Sequence, residues 1–325
     1  MKKDTLTVVQ GLKVGHAEDR KALTGVTVVI CEKGAVGAAD IRGTASGTRE
    51  INPLDPTHLV ESLNGICLAG GSAFGLDSAG GVMRYLEERG IGFPVGRTVV
   101  PIVPAAILFD LNVGDFKVRP DAAMGYRACE AASSDPVAEG CVGVGIGASV
   151  GKLLSRASAM KSGVGSAGFT FDDGLAIGAI AAVNAFGDVL DPATGKIIAG
   201  SRDPNTPGKF LDTAAALRGA SIEKPFAPEN TTLAVTATNA TLTKSQAKKI
   251  AQMAQIGLAR TISPCHSTVD GDIIFAIATG EWKGPVNLNR LGILSAEAVA
   301  EAIVRAVRKA APMDDLPAWA SLERR

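Results

Sequence analysis

The sequence predicts one α/β domain. Strand-like runs alternate with segments of helical periodicity along the 325 residues, and this alternation is typical of α/β folds. Some of the strand-like runs, such as residues 174–184, are almost entirely apolar, which indicates strands buried inside the protein. The chain is 46% hydrophobic but only 4% aromatic, so Ala, Val, Ile and Leu are expected to form the core.

Each predicted element follows from a local pattern. The predicted strands are the β-branched run 22–31 and the apolar or alternating runs 65–69, 174–184, 231–237 and 273–278. Three helices are predicted. The first follows the Gly70-Gly71 turn and ends at about Glu88, the second begins at a Thr243-x-x-Gln246 capping box, and the third covers about residues 295–310. Residues 38–50 predict a polar loop, 186–200 a hairpin, and 200–230 a long proline-rich linker suited to exposing a cleavage site.

Charge and cysteine usage narrow the class of protein. Lys+Arg and Asp+Glu both number 33, so no net field attracts nucleic acid or an anionic membrane, and a small or neutral substrate fits better. The sequence has no uninterrupted apolar run long enough to predict a membrane span. Five scattered cysteines without a Cys-x-x-Cys pair indicate reduced thiols and a cytoplasmic location. Three widely separated histidines favour surface or hydrogen-bonding positions over a zinc site.

Three motifs fail the tests for a cofactor or metal site. The glycine-rich run 143–152 is not a phosphate loop, because its spacing is one residue short and Leu153 takes the place of the required Ser or Thr. The Gly70-Gly71 turn lacks the dinucleotide fingerprint, although such a strand-to-helix turn can hold an anion. Asp270 and Asp272 have no further ligands at calcium-loop spacing. We therefore expect neither a cofactor nor a metal.

The junction between Asn230 and Thr231 is the strongest candidate for chemistry. A polar, proline-flanked loop turns there into a strand whose first residue is Thr231. By spacing alone, such a junction is usually a turn residue followed by a β-branched residue, and a glycosylation sequon would need a secretory context. If the bond is cut, Thr231 carries a hydroxyl and a free α-amine, so nucleophile and base lie on one residue.

Several separated motifs resemble the self-processing L-aminopeptidase/D-esterase (DmpA-like) family, which includes β-peptidyl aminopeptidases and nylon-oligomer hydrolases. The resemblance covers about residues 8–310. It is carried by Arg42-Gly43-x-x-x-Gly47-Thr48-Arg49-Glu50, Gly70-Gly71, Lys161-x-Gly163-x-Gly165-Ser166-Ala167, Asn230-Thr231-Thr232-Leu233-Ala234-Val235 and Asp270-Gly271-Asp272.

The resemblance implies a four-layer α-β-β-α sandwich, shared with ornithine acetyltransferases, and the chemistry of N-terminal-nucleophile hydrolases. One domain, residues 1–325, would be cut between Asn230 and Thr231 into an α chain 1–230 and a β chain 231–325. The two pieces would remain intertwined in a homo-oligomer, a tetramer of αβ units.

The resemblance also implies the site. Thr231 would be the nucleophile, Asn184 would donate to the oxyanion, and Asp270 and Asp272 would orient the amine or relay protons. Lys161 would keep the amine neutral, with Lys152 as the alternative lysine. From the residues alone, Asn184 could equally cap a turn, and the acid pair could be a simple turn.

The implied reaction is hydrolysis of amide bonds in small peptides or in amino acid amides and esters. The sequence leaves open whether the substrate is an α-peptide, a β-peptide, a D-amino acid derivative or an ω-amino acid oligomer. Two other classes stay open, namely an acyltransferase of the ornithine acetyltransferase type and an uncut, non-catalytic binding protein. The absence of a Lys-Gly-x-Gly-Met block before the cut counts against the acyltransferase.

Overall fold

The computed structural model describes residues 2–219 and 230–322. The part of the predicted linker at 220–229 lies outside these residues, and within the described part Thr213–Arg218 forms a short helix. The strands are β1 Lys2–Asp4, β2 Lys13–Asp19, β3 Thr24–Ile41, β4 Gly47–Arg49, β5 Leu63–Ala69, β6 Phe93–Val95, β7 Thr98–Val100, β8 Ala105–Ile107, β9 Ser149–Val150, β10 Met160–Lys161, β11 Val164–Thr170, β12 Ala176–Asn184, β13 Asp188–Leu190, β14 Ile197–Ala199, β15 Thr231–Ala240, β16 Ile262–Ser263 and β17 Ile273–Trp282. The helices are α1 Ser78–Glu87, α2 Ala122–Glu130, α3 Thr213–Arg218, α4 Lys244–Thr261 and α5 Leu288–Arg308.

Strand β3 joins two sheet layers. The strand order is β1-β11-β12-β15-β17-β3-β5-β8-β4, with β2 also paired to β3. Residues 24–30 of β3 pair with β2 and β5, whereas residues 36–41 pair with β17. The pairing of β3 with β5 shifts register between Ile30 and Ala35, and such an irregularity bends a strand. One long strand therefore belongs to both layers.

The inner faces of the two layers share one apolar core. Leu233 of β15 and Phe275 of β17 lie in the same buried cluster as Val29 of β3 and Ile66 of β5. These side chains are fully buried, so the two layers face each other across an apolar interior.

Helices cover both outer faces. Ala234 of β15 and Ile274 of β17 pack with Val299 of α5 in a second cluster, while Val28 of β3 packs with Val82 of α1 in a third. The order is therefore α4/α5, sheet, sheet, α1/α2. This arrangement is the four-layer α-β-β-α sandwich that the family resemblance implies, and the fold prediction is confirmed.

The local predictions agree with most of the elements. The capping box at Thr243 and Gln246 begins α4 as predicted, and 186–200 contains the antiparallel pair β13–β14. Two boundaries are wrong. Strand β3 continues to Ile41 because it pairs with β17, so the polar loop begins later than residue 38. Helix α5 begins at Leu288 rather than 295, because the Asn287 side chain accepts a hydrogen bond from the Arg290 amide and caps it. Within the described ranges, no helix is long and apolar enough to cross a membrane.

Candidate active site

Thr231 and Asn184 lie directly opposite each other. Thr231 is the first residue of β15 and Asn184 is the last residue of β12, and the two are register partners in the antiparallel pair. Alternation along β15 places Thr231 on the same face as Leu233, toward the space between the sheets. Thr231 is 2% exposed and Asn184 is 1% exposed. The fold thus brings together two polar side chains that are distant in sequence.

The Thr231 hydroxyl contacts the peptide bond that precedes it. Its Oγ1 donates to the Asn230 carbonyl oxygen at 2.5 Å. The Gly271 amide donates to the same oxygen at 2.8 Å. A Cβ on Gly271 would lie 2.7 Å from Thr231 Oγ1 and 2.7 Å from the Ala45 carbonyl oxygen, so only glycine fits without a shift. The Asn230 carbonyl is therefore held between a hydroxyl and an amide donor.

Asp272 connects the acidic segment to the start of β15. Its Oδ1 accepts from the Thr232 amide at 2.8 Å. Its Oδ2 accepts from the His266 amide at 2.9 Å and from His266 Nδ1 at 3.1 Å. The carboxylate is almost completely buried, and these hydrogen bonds satisfy it there. Asp272 thus fixes the backbone one residue after Thr231.

Asp270 is held by a different set of donors. Its Oδ2 accepts from Ser267 Oγ at 2.5 Å, and its Oδ1 accepts from the Phe186 amide at 3.2 Å. Burial and the nearby charge of Asp272 raise the pKa of Asp270 to about 6. Of the two acids predicted for the site, Asp272 therefore contacts the strand that carries Thr231, and Asp270 contacts the turn after Asn184.

The segment predicted as a polar loop is hydrogen-bonded to the backbone of Asp270 and Asp272. The amides of Arg42 and Gly43 donate to the Asp272 carbonyl oxygen at 3.0 and 3.2 Å, and the Ala45 amide donates to the Asp270 carbonyl oxygen at 2.9 Å. A Cβ on Gly43 would lie 2.2 Å from the Asp272 nitrogen. The glycine of this motif is therefore required for close packing of two backbones, and the segment is not a solvated turn.

Lys152 contacts Asn184. Its Nζ donates to Asn184 Oδ1 at 2.7 Å and to the Asn184 carbonyl oxygen at 3.3 Å. The Ser149 amide also donates to Oδ1, at 3.1 Å, while Asn184 Nδ2 donates to the Phe109 carbonyl oxygen at 2.8 Å. These contacts fix the orientation of the amide, with its oxygen toward the lysine.

Lys161 contacts backbone carbonyls instead. It is 1% exposed, and its Nζ donates to the carbonyl oxygens of Gly145, Ala148 and Ser162 at 3.2, 2.8 and 2.6 Å. Burial lowers the pKa of Lys161 to about 8. Lys161 also pairs through its backbone with Ser149 in β10–β9. Lys161 therefore stabilises the loop whose Ser149 amide contacts Asn184, while Lys152 contacts the Asn184 side chain directly. The contacts favour Lys152 as the site lysine, and the predicted role of Lys161 stays a prediction.

Comparisons with known proteins identify the family of the chain. The model of peptidase family S58 matches residues 4–317. The chain belongs to this family. An aminopeptidase of Mycobacterium leprae, named as uncharacterized, is 39% identical over 353 aligned positions, which cover 98% of this chain and 94% of the relative. A 6-aminohexanoate-oligomer endohydrolase of Kocuria sp. is 29% identical over 311 positions, covering 92% and 84%.

Solved structures show the same fold. A β-aminopeptidase of Burkholderia sp. matches with a TM-score of 0.71 at 24% identity, covering 99% of this chain and 92% of that one. An L-aminopeptidase D-Ala-esterase/amidase of Ochrobactrum anthropi, described as a variant of the Ntn-hydrolase fold, matches with a TM-score of 0.71 at 18% identity and the same coverage. This S58 chain is thus an amide-bond hydrolase of the aminopeptidase type with that fold.

Sequence reasoning did not single out three residues of this candidate site: Asp110, His266 and Gly271. Asp110 is buried, and it accepts from the Gly71 amide at 2.6 Å and from Thr24 Oγ1 at 2.8 Å. Burial raises the pKa of Asp110 to about 6. An aspartate that closes an apolar, proline-broken stretch was the available signal for Asp110. Within 2–219 and 230–322, no three or more His, Cys, Asp or Glu side chains are placed so that together they could hold a metal ion.

Proposed function

We propose that this S58 protein cuts itself between Asn230 and Thr231 and then hydrolyses amide bonds with the new N-terminal threonine. One observation carries the proposal. The Thr231 hydroxyl lies 2.5 Å from the Asn230 carbonyl oxygen, which also accepts from the Gly271 amide at 2.8 Å. A hydroxyl beside a polarised carbonyl is the arrangement that an intramolecular acyl shift needs.

Self-cleavage would proceed in two steps. Thr231 Oγ forms a bond to the Asn230 carbonyl carbon, the carbon–nitrogen bond breaks, and the hydroxyl proton moves to the leaving nitrogen. The product is an ester with a free amine on Thr231. Water then hydrolyses the ester, which leaves the Asn230 carboxylate and restores the Thr231 hydroxyl. The Gly271 amide would stabilise the negative oxygen that forms in the first step.

Turnover would reuse the same hydroxyl with the new amine as base. An N-terminal amine has an unperturbed pKa of about 7.7–8.0, so it can accept a proton near neutral pH. The amine takes the hydroxyl proton, Oγ attacks the substrate carbonyl, and the proton passes to the departing amine. Water then releases the acyl group as a carboxylic acid. Asn184, opposite Thr231, is the proposed donor to the oxyanion in this second reaction.

Lys152 is the proposed site lysine. Its ammonium lies 2.7 Å from Asn184 Oδ1, and Asn184 is the register partner of Thr231. A positive neighbour disfavours protonation of an amine, so Lys152 would hold the Thr231 amine in its basic form. Lys161 would influence the site only by stabilising the loop that carries Ser149.

Small amino acid derivatives are the proposed substrates. The chain has no net charge, and its relatives include a protein named for hydrolysis of 6-aminohexanoate oligomers and a fold neighbour named as a β-aminopeptidase. A set of amino acid p-nitroanilides with α-, β-, D- and ω-amino groups would find the preferred class. A competing acceptor amine in parallel reactions separates hydrolysis from acyl transfer.

Mass spectrometry of the denatured protein tests self-cleavage. After incubation at neutral pH, we expect two pieces, the smaller beginning at Thr231. Thr231→Ala should leave a folded, uncut and inactive chain, whereas the matched control Thr232→Ala, altered on the helix-facing side of β15, should still be cut. A wild-type chain that stays full length, or a new terminus at Thr232, would refute the proposal.

A further inference from the structure

His266 makes a two-point contact with Asp272. Its amide and its Nδ1 both donate to Asp272 Oδ2, at 2.9 and 3.1 Å. The other carboxylate oxygen of Asp272 accepts from the Thr232 amide at 2.8 Å. One carboxylate therefore links His266 to the backbone directly after Thr231.

The backbone of His266 is shaped for this contact. His266 has a φ of +54°, in the left-handed region that non-glycine residues seldom occupy. This conformation turns the amide and the imidazole of one residue toward the same oxygen. Such a conformation persists only where the surroundings hold it, and it is common at functional sites.

The charges around the imidazole favour its cationic form. Burial alone would lower the pKa of His266, but hydrogen bonds with Asp272 and Cys265 outweigh it and raise the pKa to about 10. Asp270 adds a second acidic group to the segment. The side chain of His266 remains 23% exposed. His16 shows the opposite case, since its imidazole bonds Thr27 and burial lowers its pKa to about 4.

We propose that His266 is a positioning residue, whose imidazolium holds the Asp272 carboxylate against the Thr232 amide and so fixes the start of β15 for the chemistry of Thr231. This inference rests on the proposed function. It assigns to His266 a part in both self-cleavage and turnover, although the imidazole itself contacts neither Thr231 nor, in the proposed steps, the substrate.

His266→Asn is the sharpest variant for testing this proposal. Asparagine tolerates the left-handed conformation and places an amide donor near the position of Nδ1, but it carries no charge. Without its cation, the Asp272 carboxylate places an uncompensated negative charge one residue after Thr231, and this charge favours the protonated form of the Thr231 amine that acts as base. We therefore expect the acidic limb of the kcat profile to move up by ~1 pH unit, with the rate above that limb largely retained. His58→Asn, which alters an exposed histidine, is the matched control and should leave the profile unchanged.

His266→Gly supplies an independent readout. Glycine adopts the left-handed conformation freely, and the lost ring leaves a space that opens to solvent. Self-cleavage and kcat should fall by about 10-fold or more, as expected for a lost hydrogen-bonded charge, and added imidazole should restore part of both rates. Imidazole should have no such effect on the wild type or on His58→Asn.

The outcomes separate this inference from the proposed function. A wild-type chain that is never cut would overturn both. A wild type that is cut and active, with a His266→Asn variant that keeps the wild-type acidic limb, would overturn the positioning role alone. So would an equal loss of rate at every pH in His266→Asn together with a His266→Gly variant that imidazole does not rescue, because that pattern indicates a merely structural residue.

Discussion

The two flanks of the site differ in the sign of most of their buried charges. The lysine flank, defined as Asp110, Lys152, Lys161 and Asn184, has two cations and one carboxylate. The acid flank, defined as His266, Asp270 and Asp272, has two carboxylates and one imidazole. Asp110 lies close enough to the lysines for the charge of Lys152 to lower its pKa, although burial dominates, while His266 pairs with Asp272. On each flank, two charges of one sign therefore lie near one charge of the opposite sign.

The two flanks are also held by opposite backbone groups. Lys161 donates to three carbonyl oxygens, whereas Asp272 accepts from the amides of Thr232 and His266. Thr231 lies between the flanks, opposite Asn184 and one residue before the amide that Asp272 holds. The difference shows that the site is built from polar groups whose partners are fixed before any substrate arrives.

The acid flank should give the largest effect on substitution. Asp272→Asn removes the charge that pairs with His266 and weakens the hold on the Thr232 amide, so self-cleavage and kcat should both fall by about 10²–10⁴-fold. Asp270→Asn, the matched control, should act more weakly because Asp270 bonds Ser267 and Phe186. Rates of cleavage and turnover measure both variants. Equal losses in the two variants would contradict the distinction between the acids.

EDTA tests the same flank in another way. The acid pair is proposed to act on protons and backbone groups, so a chelator should leave both rates unchanged. Activity that is lost in EDTA and restored by a divalent cation would replace this interpretation with a metal site.

Asn184 should give the next largest effect. Loss of one oxyanion donor typically costs about 10²–10³-fold in kcat, because the interaction strengthens only as charge develops in the transition state. Asn184→Ala should therefore lower kcat with KM little changed and with no shift in the pH optimum. Steady-state kinetics on the cut enzyme measure this. A rise in KM at constant kcat would assign Asn184 to substrate binding instead.

The two lysines should separate by the kind of effect. Lys152→Met removes a positive neighbour, so the Thr231 amine should hold its proton to higher pH and the activity profile should move upward in pH. Lys161→Met removes a buried donor from three carbonyl oxygens, of which those of Gly145 and Ala148 keep a backbone amide donor, so it should lower the free energy of unfolding by about 1–3 kcal/mol. Profiles of kcat against pH and denaturant titrations measure the two effects. The reverse assignment, with a shifted profile only in Lys161→Met, would restore Lys161 as the site lysine.

Substitution of Asp110 should give the smallest effect, which is on the pH dependence of the free energy of unfolding. Its pKa is raised from 3.8 to about 6 in the folded state, so the folded chain binds this proton more tightly than the unfolded chain. The resulting stabilisation is full below pH ~4 and is lost as pH rises through about 6, a change of about 3 kcal/mol. Asp110→Asn should have a flatter stability profile between pH 4 and 7 than the wild type. Unfolding in denaturant at several pH values measures this, and parallel profiles would contradict it.

The sequence predicted the fold because the pattern of each element is local. The apolar run 174–184, the alternation after Thr231 and the capping box at Thr243 all fix structure within a few residues. The family resemblance supplied the order of the layers. The resemblance also implied that Thr231 and Asn184 belong to one site.

The sequence could not show which group each charged side chain contacts. Lys152 and Lys161 both lie near glycines in the chain, and only the path of the loop between them decides which ammonium reaches Asn184. His266 was missed as a site residue because its contact depends on a left-handed backbone conformation, which no local pattern around a histidine specifies. Gly271 was visible only as part of Asp270-Gly271-Asp272, and its amide became relevant through its contact with the Asn230 carbonyl.

Trapping of the acyl-enzyme tests the central claim most directly, namely that Thr231 is the nucleophile. The cut protein would be mixed with an amino acid p-nitrophenyl ester, quenched in acid within the first turnover and digested for tandem mass spectrometry. We predict one added acyl group on the N-terminal threonine of the smaller piece, and none in Thr231→Ala. An acyl group on Thr232 or on the half-buried thiol of Cys265, with Thr231 unmodified, would contradict the account.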